Sequence, residues 1–143
     1  MRKLIVFLFI FCTLYSLAKS QKTDTPIKLE YFTSIPKVID GCSSTYTYDT
    51  TSLKKSQYIF ISNIQDLGLI KVNGKTISLK MISNKQTSKA TWKQVFKGSG
   101  YTITLTTKEI KQTGEEVTLE AGSLEVEYGT AKTIYKVHGE SGC

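Results

Sequence analysis

From Cys42 onward, apolar and polar positions alternate with a period of two. They fall in short runs of Thr, Ile, Val, Tyr and Leu broken by Gly, Asn and Ser. That period belongs to half-buried strands, whose successive side chains point to opposite faces. The runs predict strands over 45–49, 57–63, 67–72, 75–82, 91–96, 101–108, 116–121, 123–128 and 132–138. No stretch keeps a helical period over three turns. Proline stops at Pro36, so no strand is barred from a sheet interior.

Two hairpins stand out. Asn73-Gly74 takes the two positive-φ positions of a type I′ turn, whose twist suits a hairpin. Val72 then opposes Lys75, Lys71 opposes Thr76 and Ile70 opposes Ile77. Ile70, Val72, Ile77 and Leu79 share the core face. A second turn near Gly129-Thr130 sets Leu124, Val126 and Tyr128 on one face with Thr133, Tyr135 and Val137. Glu125 and Glu127 then lie across from Lys132 and near Lys136, pairs that help to fix register. The run 101–108 alternates most cleanly, with Tyr101, Ile103 and Leu105 on one face and Thr102, Thr104 and Thr106 on the other.

Antiparallel strands this short and this numerous must bury one face. A sandwich or a closed barrel does so, and closure also removes edges open to aggregation. The preferred reading is all-β, a small antiparallel β-barrel of about eight strands. The barrel domain is placed at 42–143, after an N-terminal extension at 21–41 in which Leu29, Tyr31, Phe32 and Ile35 can pack on the domain.

The first twenty residues have a different pattern. Arg2 and Lys3 precede an apolar run from Leu4 to Cys12, and Ala18-Lys19-Ser20 places small residues before Gln21. This is the layout of a secretory signal peptide, with cleavage expected near Ser20. The run is too short for a membrane span, which needs ~20 apolar residues. The compartment expected is secreted or periplasmic.

Processing changes the charge and the cysteines. The whole chain carries +7. Without Arg2, Lys3 and Lys19, the cations exceed the 12 acidic residues by four. Every remaining cation is a lysine. Arginine supplies the fork that reads phosphate and guanine, so specific nucleic-acid binding is not expected. Cys42 and Cys143 remain as the two mature cysteines. In an oxidising compartment they are expected to form a disulfide that closes the barrel, the alternative being two free thiols.

Catalytic constellations are sparse. His138, the one histidine, falls on the predicted outer face. Gly139-Glu140-Ser141-Gly142 fails the Gly-x-Ser-x-Gly pattern at Cys143, and that motif needs a strand-to-helix turn. Glu115-Glu116 and Glu125/Glu127 read as turn solvation and hairpin charge pairing. Trp92 reads as a half-buried sheet residue, and the strand tyrosines as packing at sheet edges and barrel ends. No metal, phosphate or cofactor motif occurs, and the protein is expected not to be an enzyme.

Several segments together carry a resemblance. They are Gly41-Cys42-Ser43-Ser44-Thr45-Tyr46, then 72–79, then Ser99-Gly100-Tyr101, then 113–120, and a cysteine near the C-terminus. This order resembles the bacterial periplasmic or membrane-bound inhibitors of c-type lysozyme, which are eight-stranded antiparallel barrels. The resemblance implies a serine and a lysine offered from successive loops to the lysozyme cleft. By position these are Ser99, beside Tyr101, and either Lys108 or Lys111. The expected partner is a c-type lysozyme or another envelope protein. Two other functions fit the same composition, a carrier of a small apolar ligand and an envelope interaction or structural module.

Overall fold

A computed structural model describes residues 25–143, and the alternating runs form eight strands of one closed antiparallel barrel. They are β1 (Ser43–Thr47), β2 (Phe60–Ser62), β3 (Leu67–Val72), β4 (Lys75–Ser88), β5 (Thr91–Gly98), β6 (Tyr101–Thr113), β7 (Val117–Tyr128) and β8 (Ala131–Gly142). Each strand pairs with its neighbour in sequence, and β8 returns to β1. The predicted signal segment 1–20 and residues 21–24 lie outside the described residues. Among the described residues, no helix is long and apolar enough to cross a membrane.

Eight strands leave an interior just wide enough for side chains, and this one is filled. Phe60, Ile70, Phe96, Ile103, Leu105, Leu124, Val126 and Val137 form its centre, all at 1 % exposure or less. The Asn73-Gly74 hairpin has the expected positive φ values and the expected register from Val72↔Lys75 to Ile70↔Ile77. The second hairpin pairs Glu127 with Lys132, and the Lys132 ammonium bridges Glu125 at 2.8 Å and Glu127 at 3.4 Å. Cys42 and Cys143 are joined by a disulfide across the β1–β8 seam.

The strand boundaries differ from the predicted ones in instructive ways. The runs 116–121 and 123–128 are one strand, because Gly122 does not break the ladder. A Cβ there would lie 1.9 Å from the Thr106 carbonyl oxygen, so glycine is what lets β6 approach. β4 and β6 run on to Ser88 and Thr113, absorbing the loss of alternation in bulges beside Ile82 and Ile110. Residues 109–113, which fall between the predicted runs 101–108 and 116–121, are therefore strand. β2 is shorter than the run 57–63, since Tyr58 pairs instead with Phe32 in an isolated bridge. A five-residue helix, α1 (Thr50–Lys54), also escapes the periodicity. Asp49 caps it by accepting from the Ser52 N–H at 2.7 Å.

The described part of the extension belongs to the barrel's structure. Ile27 and Leu29 are buried in the core cluster at one end. The Ile27 N–H donates to Thr133 Oγ1 at 2.9 Å, and its carbonyl accepts from the Tyr135 hydroxyl. The Tyr48 hydroxyl donates to the Leu29 carbonyl at 2.9 Å. Phe32 and Ile39 then cover Tyr58, Ile61 and Leu69 outside the barrel in a second small core. One end of the barrel is thus plugged.

Candidate functional site

The other end is open, and strand lengths explain why. β3 leaves β4 after Leu67↔Lys80, yet β4 continues to Ser88. The far halves of β4 to β7 stand as a tall wall opposite the short 63–66 loop. Between them lies a pocket of about 240 Å³ lined by residues of the inner face together with Ile64 of that loop.

Its floor is built across four strands. In register, Glu109 of β6 faces Glu120 of β7, Glu120 faces Gly139 of β8, and Gly139 faces Tyr46 of β1. Since Gly139 has no side chain, the Tyr46 ring lies across it and reaches one strand further. The Tyr46 hydroxyl donates to Glu120 Oε2 at 2.7 Å. Ser141 donates from Oγ to Glu120 Oε1 at 2.5 Å. Burial holds the Tyr46 phenol well above its usual pKa near 10, with the adjacent Glu120 charge acting in the same direction. Tyr46 therefore remains a proton donor to the carboxylate at neutral pH. Ser44, Thr107, Asn84, Gln94 and half-buried Trp92 complete the wall, and Glu109 stands exposed at the rim.

The loop at the low side is fixed by Asn63. Its Oδ1 accepts from the N–H groups of Gln65, Asp66 and Leu67 at 2.9–3.1 Å, and its Nδ2 donates to Asp66. Within this loop Ile64 has φ +64°, a conformation that β-branched residues rarely adopt. The loop holds that residue at the mouth.

The predicted site residues lie apart. Ser99 occupies a tight two-residue turn with Gly100 at the plugged end, both at positive φ. Tyr101 begins β6 there and packs on Tyr128 with ring centroids 4.5 Å apart. Lys108 and Lys111 are exposed near the opposite end of the same strand. At ~3.3 Å per residue, Ser99 and Lys108 are on the order of 25–30 Å apart. Ser99 is not brought together with either lysine. His138 packs outward opposite Thr47 and Ala121, away from the pocket.

Glu120 is the residue that the sequence reading missed. Parity was the available signal. Leu124 and Val126 face inward, so Gly122 and Glu120 do as well once β7 is continuous. The same count from Ile103 and Leu105 turns Thr107 and Glu109 inward. Breaking the run at Gly122 concealed a carboxylate on a core face. Among the described residues, no group of three His, Cys, Asp or Glu side chains could hold a metal ion. The chain matches no protein-family model, no curated protein and no solved structure.

Proposed function

We propose that this protein is a secreted or periplasmic binding protein, not an enzyme, that takes a small polar group of its ligand into the open barrel mouth. The observation that carries the reading is the contrast between the two ends. One is plugged by Ile27 and Leu29, while the other gathers Glu120, Tyr46, Ser141, Trp92 and Gln94 around a pocket. A concave site with a few convergent polar groups and an aromatic wall is the usual form of a small-ligand site. The barrel's own side chains fill its centre, which favours the mouth over an internal apolar cavity of the carrier type. The hydroxyls of Tyr46 and Ser141 point at a carboxylate and have no imidazole beside them, an arrangement suited to holding a ligand. Export is supported by the charged, apolar and small-residue layout of residues 1–20 together with the Cys42–Cys143 bridge.

A panel of small cationic, neutral and anionic compounds tests the proposal, read by backbone amide NMR shifts and by fluorescence of Trp92. At least one compound class is expected to give saturable shifts centred on 44–46, 92–94, 107–109, 120 and 139–141. Shifts confined to the plugged end, or none from any class, refute it.

A second reading, inhibition of a c-type lysozyme, is favoured by the eight-stranded barrel and by the exposed position of Ser99 on a hairpin tip. In this reading Ser99 acts from the plugged end without Lys108 or Lys111. Stoichiometric slowing of cell-wall lysis, weakened by Ser99→Ala and unaffected by Lys108→Glu, is its expected signature. Absence of inhibition by folded protein against several such lysozymes removes it.

A further inference from the structure

Building on the mouth as a binding site, we infer that the group it takes is an alkylammonium: the Glu120 carboxylate receives the ammonium while the Trp92 ring flanks it. The protein as a whole is basic, yet the pocket is lined by two carboxylates, Glu109 and Glu120, and by no lysine. Around the mouth, strand parity decides which charges reach the pocket. Along the same strands Lys85, Lys93 and Lys108 alternate to the outer face, where Lys85 opposes Lys93 and Lys108 opposes Thr91. Glu109 and Glu120 turn inward, whereas Glu125, Glu127 and Glu140 face outward.

The donor count points the same way. A carboxylate offers about four lone-pair sites. Tyr46 and Ser141 use one on each oxygen of Glu120 and fix its orientation. The remaining sites are free for donors from the pocket. Around them stand Glu109, which only accepts when ionised, and Ser44, Thr107, Asn84 and Gln94, which can accept as well as donate. A primary ammonium brings three N–H donors and no acceptor, so it suits such a wall. The Trp92 indole, which also lines the pocket, can attract a cation over its ring and not an anion.

A separate observation comes from beneath the mouth. Ser62 pairs with Ser44 in register and shares its inner face. Its Oγ is fully buried and has no hydrogen-bond partner among the described residues. A buried hydroxyl without a partner is costly and rare. Here it sits across from Ser44, a residue of the pocket wall.

The test uses the mature, disulfide-bonded protein and three four-carbon probes of similar size, n-butylamine, n-butanol and butyrate. Trp92 is the one tryptophan, so its fluorescence reports on this pocket. The amine is expected to bind at least about ten-fold more tightly than the alcohol or the acid, and Glu120→Gln to weaken it about ten- to a hundred-fold. If Glu120→Gln does not fold, Glu109→Gln at the exposed rim replaces it, with an expected loss of about two- to five-fold. The tripeptide Gly-Lys-Gly, compared with its norleucine counterpart, separates a lysine side chain from a free amine as the source of the ammonium. Equal binding of alcohol or acid, or amine affinity unchanged in the substituted protein, overturns the ammonium assignment and leaves the mouth as a site. No response to probes of any charge overturns both.

Discussion

Gly139→Ala tests how the barrel wall and the pocket floor depend on each other. Gly139 is a buried inner-face residue between Glu120 and Tyr46. A Cβ built there would lie 2.3 Å from Tyr46 Cδ1 and 2.4 Å from the Thr45 carbonyl oxygen. Ordinary contacts are ~3.5–4.0 Å, so each neighbour would have to retreat by more than about 1 Å. The Thr45 backbone has little freedom, being paired to Ile61 on one side and Glu140 on the other. The ring can move only by leaving its place over the glycine, which takes its hydroxyl off Glu120. Overpacking costs ~1–3 kcal/mol, and a hydrogen bond to a charged group adds ~1.5–3 kcal/mol. The expected loss is about 2.5–6 kcal/mol, a large share of the ~5–15 kcal/mol that holds a domain together.

Urea unfolding of the disulfide-intact protein, followed by circular dichroism, measures that loss as a lower midpoint at constant slope. Gly114→Ala is the control. Its φ is +78° but a Cβ there meets nothing within 4 Å, so it should cost only about 1–2 kcal/mol of backbone strain. In a Tyr46→Phe background the hydrogen bond is already gone, so Gly139→Ala should then cost just the overpacking part. A Gly139→Ala loss no larger than that of Gly114→Ala would falsify the placement of Tyr46 across Gly139.

Further outcomes follow from the same structure. Ile103→Ala, at a fully buried position, should lose ~2–5 kcal/mol by urea unfolding, whereas Thr104→Ala on the opposite face should stay under about 1 kcal/mol; equal losses would show a slipped register. Cys143→Ser opens a bridge with a sequence separation of 101 and should cost ~2–5 kcal/mol, checked against the reduced wild type, which should match it. Burial raises the folded-state pKa of Tyr46 and of Tyr48. The unfolded chain then releases these protons first, so their stabilising contribution is complete below about pH 10 and is lost as pH rises above it. Urea midpoints between about pH 8 and pH 11 should fall, and less steeply in Tyr46→Phe; an identical slope would remove Tyr46 as a cause.

Local pattern and turn chemistry determined much of this protein. Period-two alternation requires one buried face, so Ile70, Val72, Ile103, Leu105, Leu124 and Val126 are committed to a core before any strand is placed. Asn73-Gly74 specifies a hairpin by its φ preferences alone, and that hairpin sets six residue pairs between β3 and β4. Cys42 and Cys143, the cysteines among the described residues, leave one intramolecular bridge between them. These features were legible because each depends on neighbours in sequence.

Tertiary structure decided the rest, because the deciding contacts join residues distant in the chain. Whether Gly122 breaks a strand depends on the Thr106 carbonyl that approaches it. How far β4 and β6 extend depends on bulges that restore register with their partners. Ile27 becomes a plug only through Thr133 and Tyr135, more than a hundred residues away. The pocket is the clearest instance. Glu120, Tyr46 and Ser141 belong to three strands, and their meeting requires the β1–β8 seam to close with a glycine at the crossing point. Closure also separates Ser99 from Lys108 and Lys111, since two residues at opposite ends of one extended strand cannot share a site, whatever loops their sequence suggests.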